Sequence, residues 1–231
     1  MKLNKLFLGL ALCLTAGSSH VVLAEDTFNH SSDKALSNQL EVAYKTFYSH
    51  TRKLSGDDIK ALRFAFGFTN IHADNDLCHI NKAYIHTPKV DIPLTVSPEQ
   101  RFSIPTEKAL RLADAKVVLE LMEQPNHCDI NVQIETLPEY LNNRYTASEL
   151  QFILGQYMAF FDEMGGFMAF MMPQVSGLQV RFADDNLSVL LTDELSIVKG
   201  ILRLSTSQIK GLKELSLPVA PMRITALTET K

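Results

Sequence analysis

The sequence lacks the short motifs that identify common enzyme classes. It contains no Gly-x-Ser-x-Gly nucleophile elbow, no His-Glu-x-x-His zinc motif, no glycine-rich phosphate loop and no Cys-x-x-Cys pair. Paired aspartates occur, but they fall in predicted turns, where aspartate caps its own backbone. We therefore assign no catalytic residue, while a site assembled from loops distant in the sequence stays open.

The chain also lacks tryptophan and any run of basic residues. It has 22 Lys and Arg against 26 Asp and Glu, a formal net charge of −4. Proteins that bind nucleic acids or anionic membranes begin from a basic patch, so neither partner is expected. The 231 residues are 46% hydrophobic, which allows a substantial core.

Long apolar runs are absent except at the N terminus. Lys2 and Lys5 precede an apolar run over residues 6–14, which is shorter than the roughly 20 residues that cross a bilayer. This pattern is typical of a secretory signal peptide, and Val22-Leu23-Ala24 predicts cleavage after Ala24. We expect a soluble periplasmic protein that begins at Glu25; losing Lys2 and Lys5 changes its net charge from −4 to −6.

Cysteine is scarce, and one of the three cysteines, Cys13, lies in the predicted signal peptide. Two cysteines, Cys78 and Cys128, remain in an oxidising compartment, which predicts one disulfide. Their neighbours His79 and His127 make a Cys2His2 metal site the alternative. Because adjacent residues on a strand point to opposite faces, cysteines that meet would direct both histidines away. We expect the disulfide, with no metal and no cofactor.

Apolar spacing predicts an α+β fold in two domains. Residues 25–136 would hold an N-terminal helix (36–54) and a small antiparallel β-sandwich stapled by the disulfide. Two hairpins would form it, 62–68 with 78–87 and 116–122 with 128–135. After a short helix at 107–112, residues 137–231 would form the second domain. It would contain helices from capping boxes at 146–149 and 205–208, and strands at 178–183, 187–192, 195–204 and 222–227, with a hairpin turn at 184–186.

Several segments, in this order, carry a family resemblance. They are the tyrosine-bearing segment 44–48, Cys-His-Ile-Asn-Lys-Ala-Tyr at 78–84, Cys-Asp-Ile-Asn-Val at 128–132, Met-Pro-Gln-Val-Ser-Gly-Leu at 172–178 and Pro-Met-Arg-Ile-Thr at 221–225. Together they resemble the bacterial family known as domain of unknown function 2987. Ala113-Asp114-Ala115 departs from the family, where an Asn-Pro-like step is expected. The resemblance implies export and a paired cysteine, and it brings no activity or substrate.

One apolar cluster is expected to be mostly core, and a partner surface is the alternative. Methionine suits surfaces that adapt to a protein partner or a lipid tail, so an envelope protein or an apolar ligand would bind there. The residues of this predicted Met/Phe surface are Phe167, Met168, Phe170 and Met171. The sequence favours a non-enzymatic binding or accessory protein of the periplasm. The alternatives are a hydrolase-like enzyme and a metal carrier that uses the histidines beside the cystine.

Overall fold

The computed structural model describes residues 38–54, 59–73, 76–165 and 173–229. The predicted signal peptide and the whole Met/Phe surface lie outside the described residues. The part of the chain that is described belongs to one compact unit.

The described residues form helices and strands in an order that confirms the α+β class. The helices are α1 (Tyr44–Thr51), α2 (Lys108–Leu112), α3 (Ala147–Gly165) and α4 (Thr206–Gly211). The strands are β1 (Gln39–Ala43), β2 (Leu62–Asn70), β3 (Ile80–His86), β4 (Asp91–Leu94), β5 (Lys116–Leu121), β6 (Cys128–Thr136), β7 (Arg144–Thr146), β8 (Gln174–Arg181), β9 (Val189–Thr192), β10 (Leu195–Ile197), β11 (Ile201–Ser205), β12 (Glu214–Ser216) and β13 (Arg223–Glu229).

The strands pair antiparallel in several small sheets. The largest has the order β1-β5-β3-β4, and a second has the order β11-β8-β13. Three further pairs are β2 with β6, β9 with β10 and β7 with β12. Strands dominate over helices, so the fold is α+β with most of its core supplied by sheets.

Both hairpins predicted in the first half are wrong. β2 pairs with β6 along its whole length, from Leu62 opposite Thr136 to Asn70 opposite Cys128, and β3 pairs with β5. A tight hairpin needs a short turn with positive φ angles. The β5–β6 connection instead contains the 3-10 turn Pro125–His127, and the β2–β3 connection spans nine residues, 71–79. The β2–β3 connection returns onto the end of β2 only through the isolated bridge between Leu77 and Thr69, before the chain enters β3. The β2–β6 pair encloses the β3–β5 pair in sequence.

The predicted first helix begins later than expected, because its first turns are a strand. Leu40 and Val42 are partly buried and alternate with exposed Glu41, the period of two that a half-buried strand shows. They pair with β5, and the helix starts only at Tyr44, whose backbone N–H donates to the carbonyl of Ala115 at 2.9 Å. The prediction of a helix from residue 36 is therefore wrong.

The hairpin predicted through residues 184–186 is also wrong. The turn itself exists, since the backbone N–H of Leu187 donates to the carbonyl of Asp184 at 3.2 Å, but β8 pairs with β11 and β13. The predicted single strand 195–204 is itself bent back at Lys199 and Gly200, whose φ angles are 50° and 70°. Two consecutive residues with positive φ are the signature of a type I′ turn, which separates β10 from β11.

Predictions that rested on local capping signals are confirmed. At the start of α3, the backbone N–H of Glu149 donates to Thr146 Oγ1 at 3.3 Å, and the backbone N–H of Thr146 donates to the Glu149 carboxylate at 2.7 Å. The hydrogen bonds that the backbone N–H and the hydroxyl of Thr146 donate to the carboxylate lower the pKa of Glu149. Ser205 and Gln208 form the second capping box at α4. The closing strand, β13, is also present where it was predicted.

Helix α3 contacts strands from both halves of the chain, β6 and β13. Its residues Leu150, Ile153, Leu154 and Tyr157 are buried, whereas Met158 is 46% exposed. The Tyr157 hydroxyl donates to the carbonyl of Ile224 in β13 at 2.7 Å and lies 3.1 Å from Thr136 Oγ1 in β6. One cluster of buried side chains extends from Tyr44 to Ile224. The division into domains 25–136 and 137–231 stays a prediction.

The predicted disulfide between Cys78 and Cys128 is confirmed. Both cysteines are buried, and their Cα atoms are 6.2 Å apart. Cys78 lies where the chain leaves β2 for β3, and Cys128 lies where it leaves β5 for β6, so the bond links the two crossings between sheets. Closing a loop over a separation of 50 residues stabilises the fold by roughly 4 kcal/mol through the entropy of the unfolded chain.

Two glycines test the packing around β8 and α3. A Cβ atom at Gly177 would overlap the backbone carbonyl oxygen of Leu204 in β11, whereas a Cβ atom at Gly155, on the exposed side of α3, would meet nothing within 4 Å. We expect Gly177→Ala to lower the free energy of unfolding by about 2 kcal/mol or more. Gly155→Ala should raise it by about 0.5–1 kcal/mol, because alanine favours helix. Urea unfolding followed by circular dichroism measures both; equal effects would contradict the β8–β11 packing.

Candidate functional site

A polar pocket of about 380 Å³ lies where β2, β6, β8 and β13 meet the turn at residues 97–101. This volume is within the range of roughly 300–1,000 Å³ that is usual for ligand pockets. We call it the arginine pocket, after the side chains that define it: Arg101, Arg181, Arg223, Glu99, Asn131 and Gln133.

Strand alternation gives β6 one face toward the pocket. Asn131 and Gln133 are two residues apart, so their side chains emerge on the same side of β6. The Asn131 amide donates to Thr69 Oγ1 of β2 at 3.1 Å, which extends this polar face across both strands. The opposite face of β2 carries Phe66 and Phe68, which are buried in the core. The β2–β6 pair thus covers the core with one face and lines the pocket with the other.

The turn at 97–101 supplies two charged groups, Glu99 and Arg101. It is closed by a hydrogen bond from the Ser97 N–H to the Arg101 carbonyl at 2.7 Å. Gln100 has a φ of 57°, and its side-chain oxygen accepts a hydrogen bond from the backbone N–H of Ile80 at 2.8 Å. These bonds fix the turn against β3 and so hold Glu99 and Arg101 at the pocket.

Two of the arginines lie directly opposite each other on neighbouring strands. Arg181 of β8 pairs in register with Arg223 of β13, an arrangement of like charges that is unfavourable by itself. Glu99 compensates it by bridging both: one carboxylate oxygen is 3.1 Å from Arg181 Nε and the other is 3.0 Å from Arg223 Nη1. Asp185 adds a second contact to Arg181, at 2.8 Å from Nη2.

Arg101 is the guanidinium with the weakest compensation. Its Nη2 donates to Asn131 Oδ1 at 2.9 Å, and among the described residues no carboxylate lies within ion-pair distance of it. Burial, followed by the positive charge of Arg223, lowers the pKa of Arg101. Arginine nonetheless stays protonated in proteins. Arg101 is therefore a partly buried positive charge whose hydrogen-bond partner, the Asn131 amide, is neutral.

Two buried nitrogen atoms in the pocket residues have no hydrogen-bond partner. Within the described part of the chain, Arg101 Nη1 and Arg223 Nε are the buried side-chain nitrogen or oxygen atoms of this kind. A buried donor left unpaired costs about 1–3 kcal/mol, and more when it is charged, so such atoms call for an explanation. Both atoms belong to residues that line the arginine pocket.

The structure does not assemble the Cys2His2 site that was weighed as an alternative to the disulfide. One possible ligand atom each from Cys78, Cys128 and Glu123 lies within 4.8 Å of the others, but the two sulfur atoms are bonded to each other. The histidines also diverge. His79 Nδ1 is 3.8 Å from Glu123, whereas the ring of His127 packs against that of His72 at 4.3 Å. A cystine sulfur is not a thiolate and does not ligate zinc in the usual way.

The family described as Protein of unknown function (DUF2987) matches residues 36–182, more than half of the chain. The chain belongs to this family. The resemblance noted from the sequence is therefore confirmed. No curated protein and no solved structure matches the chain.

The DUF2987 region includes most of the arginine pocket. Glu99, Arg101 and Arg181 lie inside the matched residues, and Arg223 lies beyond them. None of the three arginines was singled out from the sequence of this DUF2987 protein. The disulfide was found from its residues alone, because counting cysteines requires no knowledge of strand pairing. No described helix of the protein is long and apolar enough to cross a membrane.

If the pocket is kept for binding, its unpaired donors should lower the free energy of unfolding. A substitution of Arg101 tests this expectation. We expect Arg101→Met to leave the free energy of unfolding unchanged or to raise it, since the change removes an uncompensated buried donor and keeps the aliphatic stem. Arg63→Met is the matched control. The Arg63 guanidinium donates to buried Glu135 at 2.6 and 2.9 Å, so its loss should cost about 2 kcal/mol. Urea unfolding measures both; a large loss in Arg101→Met would identify a structural arginine.

Proposed function

We propose that this DUF2987 protein is exported to the periplasm and acts there as a non-enzymatic binding or accessory protein of the cell envelope, with the arginine pocket as its binding site. One observation carries the proposal: Arg101 and Arg223 hold buried N–H groups without an acceptor in a pocket of ligand size. Such groups destabilise a fold that has no use for them, and binding sites are where this cost is usually found.

The composition of the pocket supports binding rather than hydrolysis. Its described lining residues include no serine, cysteine or histidine, so they offer no pair of a nucleophile and a histidine base. What they offer is a set of fixed hydrogen-bond donors. Asn131 and Gln133 hold two of the guanidinium groups through single hydrogen bonds, at 2.9 and 3.0 Å. Preorganised donors bind an acceptor without first having to be ordered.

Two features support export. The N-terminal sequence has a basic start, an apolar run and a small residue at the expected cleavage position. The buried Cys78–Cys128 disulfide suits an oxidising compartment, because cytosolic thiols are kept reduced.

Export is tested on the full chain expressed in a Gram-negative host. Protein purified from the periplasmic fraction without reductant should begin at Glu25 and should weigh two hydrogen atoms less than the reduced chain. Native mass spectrometry of the same sample should show an added ligand mass that Arg101→Met loses. The matched control for export is Leu10→Arg, which interrupts the apolar run and should leave the precursor in the cytoplasm. An unprocessed chain with two free thiols would overturn export, and the absence of any added mass would overturn the binding role.

The predicted Met/Phe surface stays part of the proposal as a contact for an envelope protein or an apolar ligand. Its support among the described residues is that α3, the helix leading to it, exposes Met158 by 46% and Met164 by 38%. Exposed methionines suit adaptable apolar contacts.

Two substitutions that introduce negative charge test this surface. We expect the double variant Met168→Glu/Met171→Glu to stay folded and to lose binding of an uncharged apolar dye such as Nile red, because carboxylates on an apolar contact oppose its burial. Met122→Glu is the control, since Met122 is 61% exposed and lies outside the surface. Unfolding of the double variant would show that the cluster is core, and unchanged dye binding would remove the surface from the proposal.

A further inference from the structure

We infer that the arginine pocket recognises a single carboxylate group on its ligand. The inference rests on the proposed binding role and adds the chemical class of the ligand. It follows from three properties of the pocket: the number of unpaired donors, the balance of charge and the way the guanidinium groups are held.

The unpaired donors match a carboxylate in number. Arg101 Nη1 and Arg223 Nε are contributed by two different side chains, which line the same pocket. A carboxylate has two oxygen atoms, one for each donor, and N–H donors of guanidinium groups bind it through charge-assisted hydrogen bonds. A hydroxyl or amide ligand would satisfy the hydrogen bonds but would leave the charge of Arg101 without a counter-ion.

The balance of charge favours a monoanion. Glu99 is shared between Arg181 and Arg223, and Asp185 adds its charge to Arg181 from the exposed side. Of the three pocket arginines, Arg101 is then the one with no carboxylate within ion-pair distance among the described residues, and one negative charge compensates it. A phosphate dianion would bring a second charge next to Glu99 and exposed Asp76, in a chain whose net charge is already −4.

The orientation of the donors is set before any ligand arrives. Asn131 Oδ1 accepts from Arg101 Nη2, and Gln133 Oε1 accepts from Arg223 Nη1. Both amides stand on β6, whose nine residues pair with β2 along their full length. The guanidinium planes are thus oriented by the sheet, while Arg101 Nη1 and Arg223 Nε have no hydrogen-bond partner. This explains why two arginines that could turn toward solvent keep buried N–H groups instead.

The carboxylate can come from a small organic acid or from the C terminus of a peptide. Isothermal titration calorimetry on the processed, disulfide-bonded protein separates these sources. The probes are acetate, succinate, inorganic phosphate and the tripeptide Ala-Ala-Ala, the last with a free or an amidated C terminus. We expect saturable binding of a free carboxylate probe that weakens about tenfold or more in Arg101→Met, the loss of one charged hydrogen bond. Arg203→Met, at an exposed arginine of β11, should bind like wild type.

Each outcome decides the inference. Binding of acetate or succinate supports it with a small acid as the source, and binding of only the free tripeptide supports it with a peptide as the source. Tighter binding of phosphate, equal binding of the amidated tripeptide, or binding that Arg101→Met leaves unchanged would overturn it. So would no binding by any probe. If every probe fails but the periplasmic protein still carries a ligand mass that Arg101→Met loses, the carboxylate is wrong and the binding role stands. Asn131→Leu, which removes the amide that orients Arg101, gives a second measurement if Arg101→Met does not fold.

Discussion

The antiparallel ladder between β2 and β6 is the interaction on which the other parts of the structure depend. Its nine residue pairs give the sheet two unlike faces. One face sends Phe64, Phe66 and Phe68 into the core, where burial of aromatic surface supplies stability. The other face carries Asn131 and Gln133 to the arginine pocket. A slip of β6 by one residue would turn Asn131 and Gln133 to the face that carries the phenylalanines, so the apolar core also fixes the register of the site.

Stability and the proposed binding role make opposite demands on the charged groups of this protein. Arg63 and Glu135 form a close pair on the same ladder, in which each charge has its counterpart. The pocket has fewer carboxylates than guanidinium groups would need for such pairing, and the amides of Asn131 and Gln133 orient the groups without neutralising them. Glu99 contributes to both, because it neutralises part of the charge of Arg181 and Arg223 and lies in the pocket. It keeps Arg181 and Arg223 together in register, and it limits how much negative charge a ligand can add.

The features that could be predicted from the sequence are those that depend on a few residues close together in the chain or on a simple count of cysteines. The capping boxes at Thr146 and Ser205 fixed the starts of two helices, and the cysteine count gave the disulfide. Strand pairing was mispredicted because it depends on which distant segment covers an apolar face, and β2 finds its partner far along the chain. The pocket was missed for the same reason. The separation between Glu99 and Arg181 is 82 residues, and no local pattern marks residues that meet only after three sheets have formed.

The enclosure of β3 and β5 within the β2–β6 pair has a consequence for how the chain is made. Synthesis proceeds from the N terminus, so β2 is complete long before Cys128, where its partner strand begins, has been added. Until then three phenylalanines on one strand have no complete ladder to support them, and a strand with an unpaired edge invites association with other chains. The inner β3–β5 pair closes first along the sequence, and the outer pair can only follow. Folding of this protein is therefore governed by late, long-range contacts.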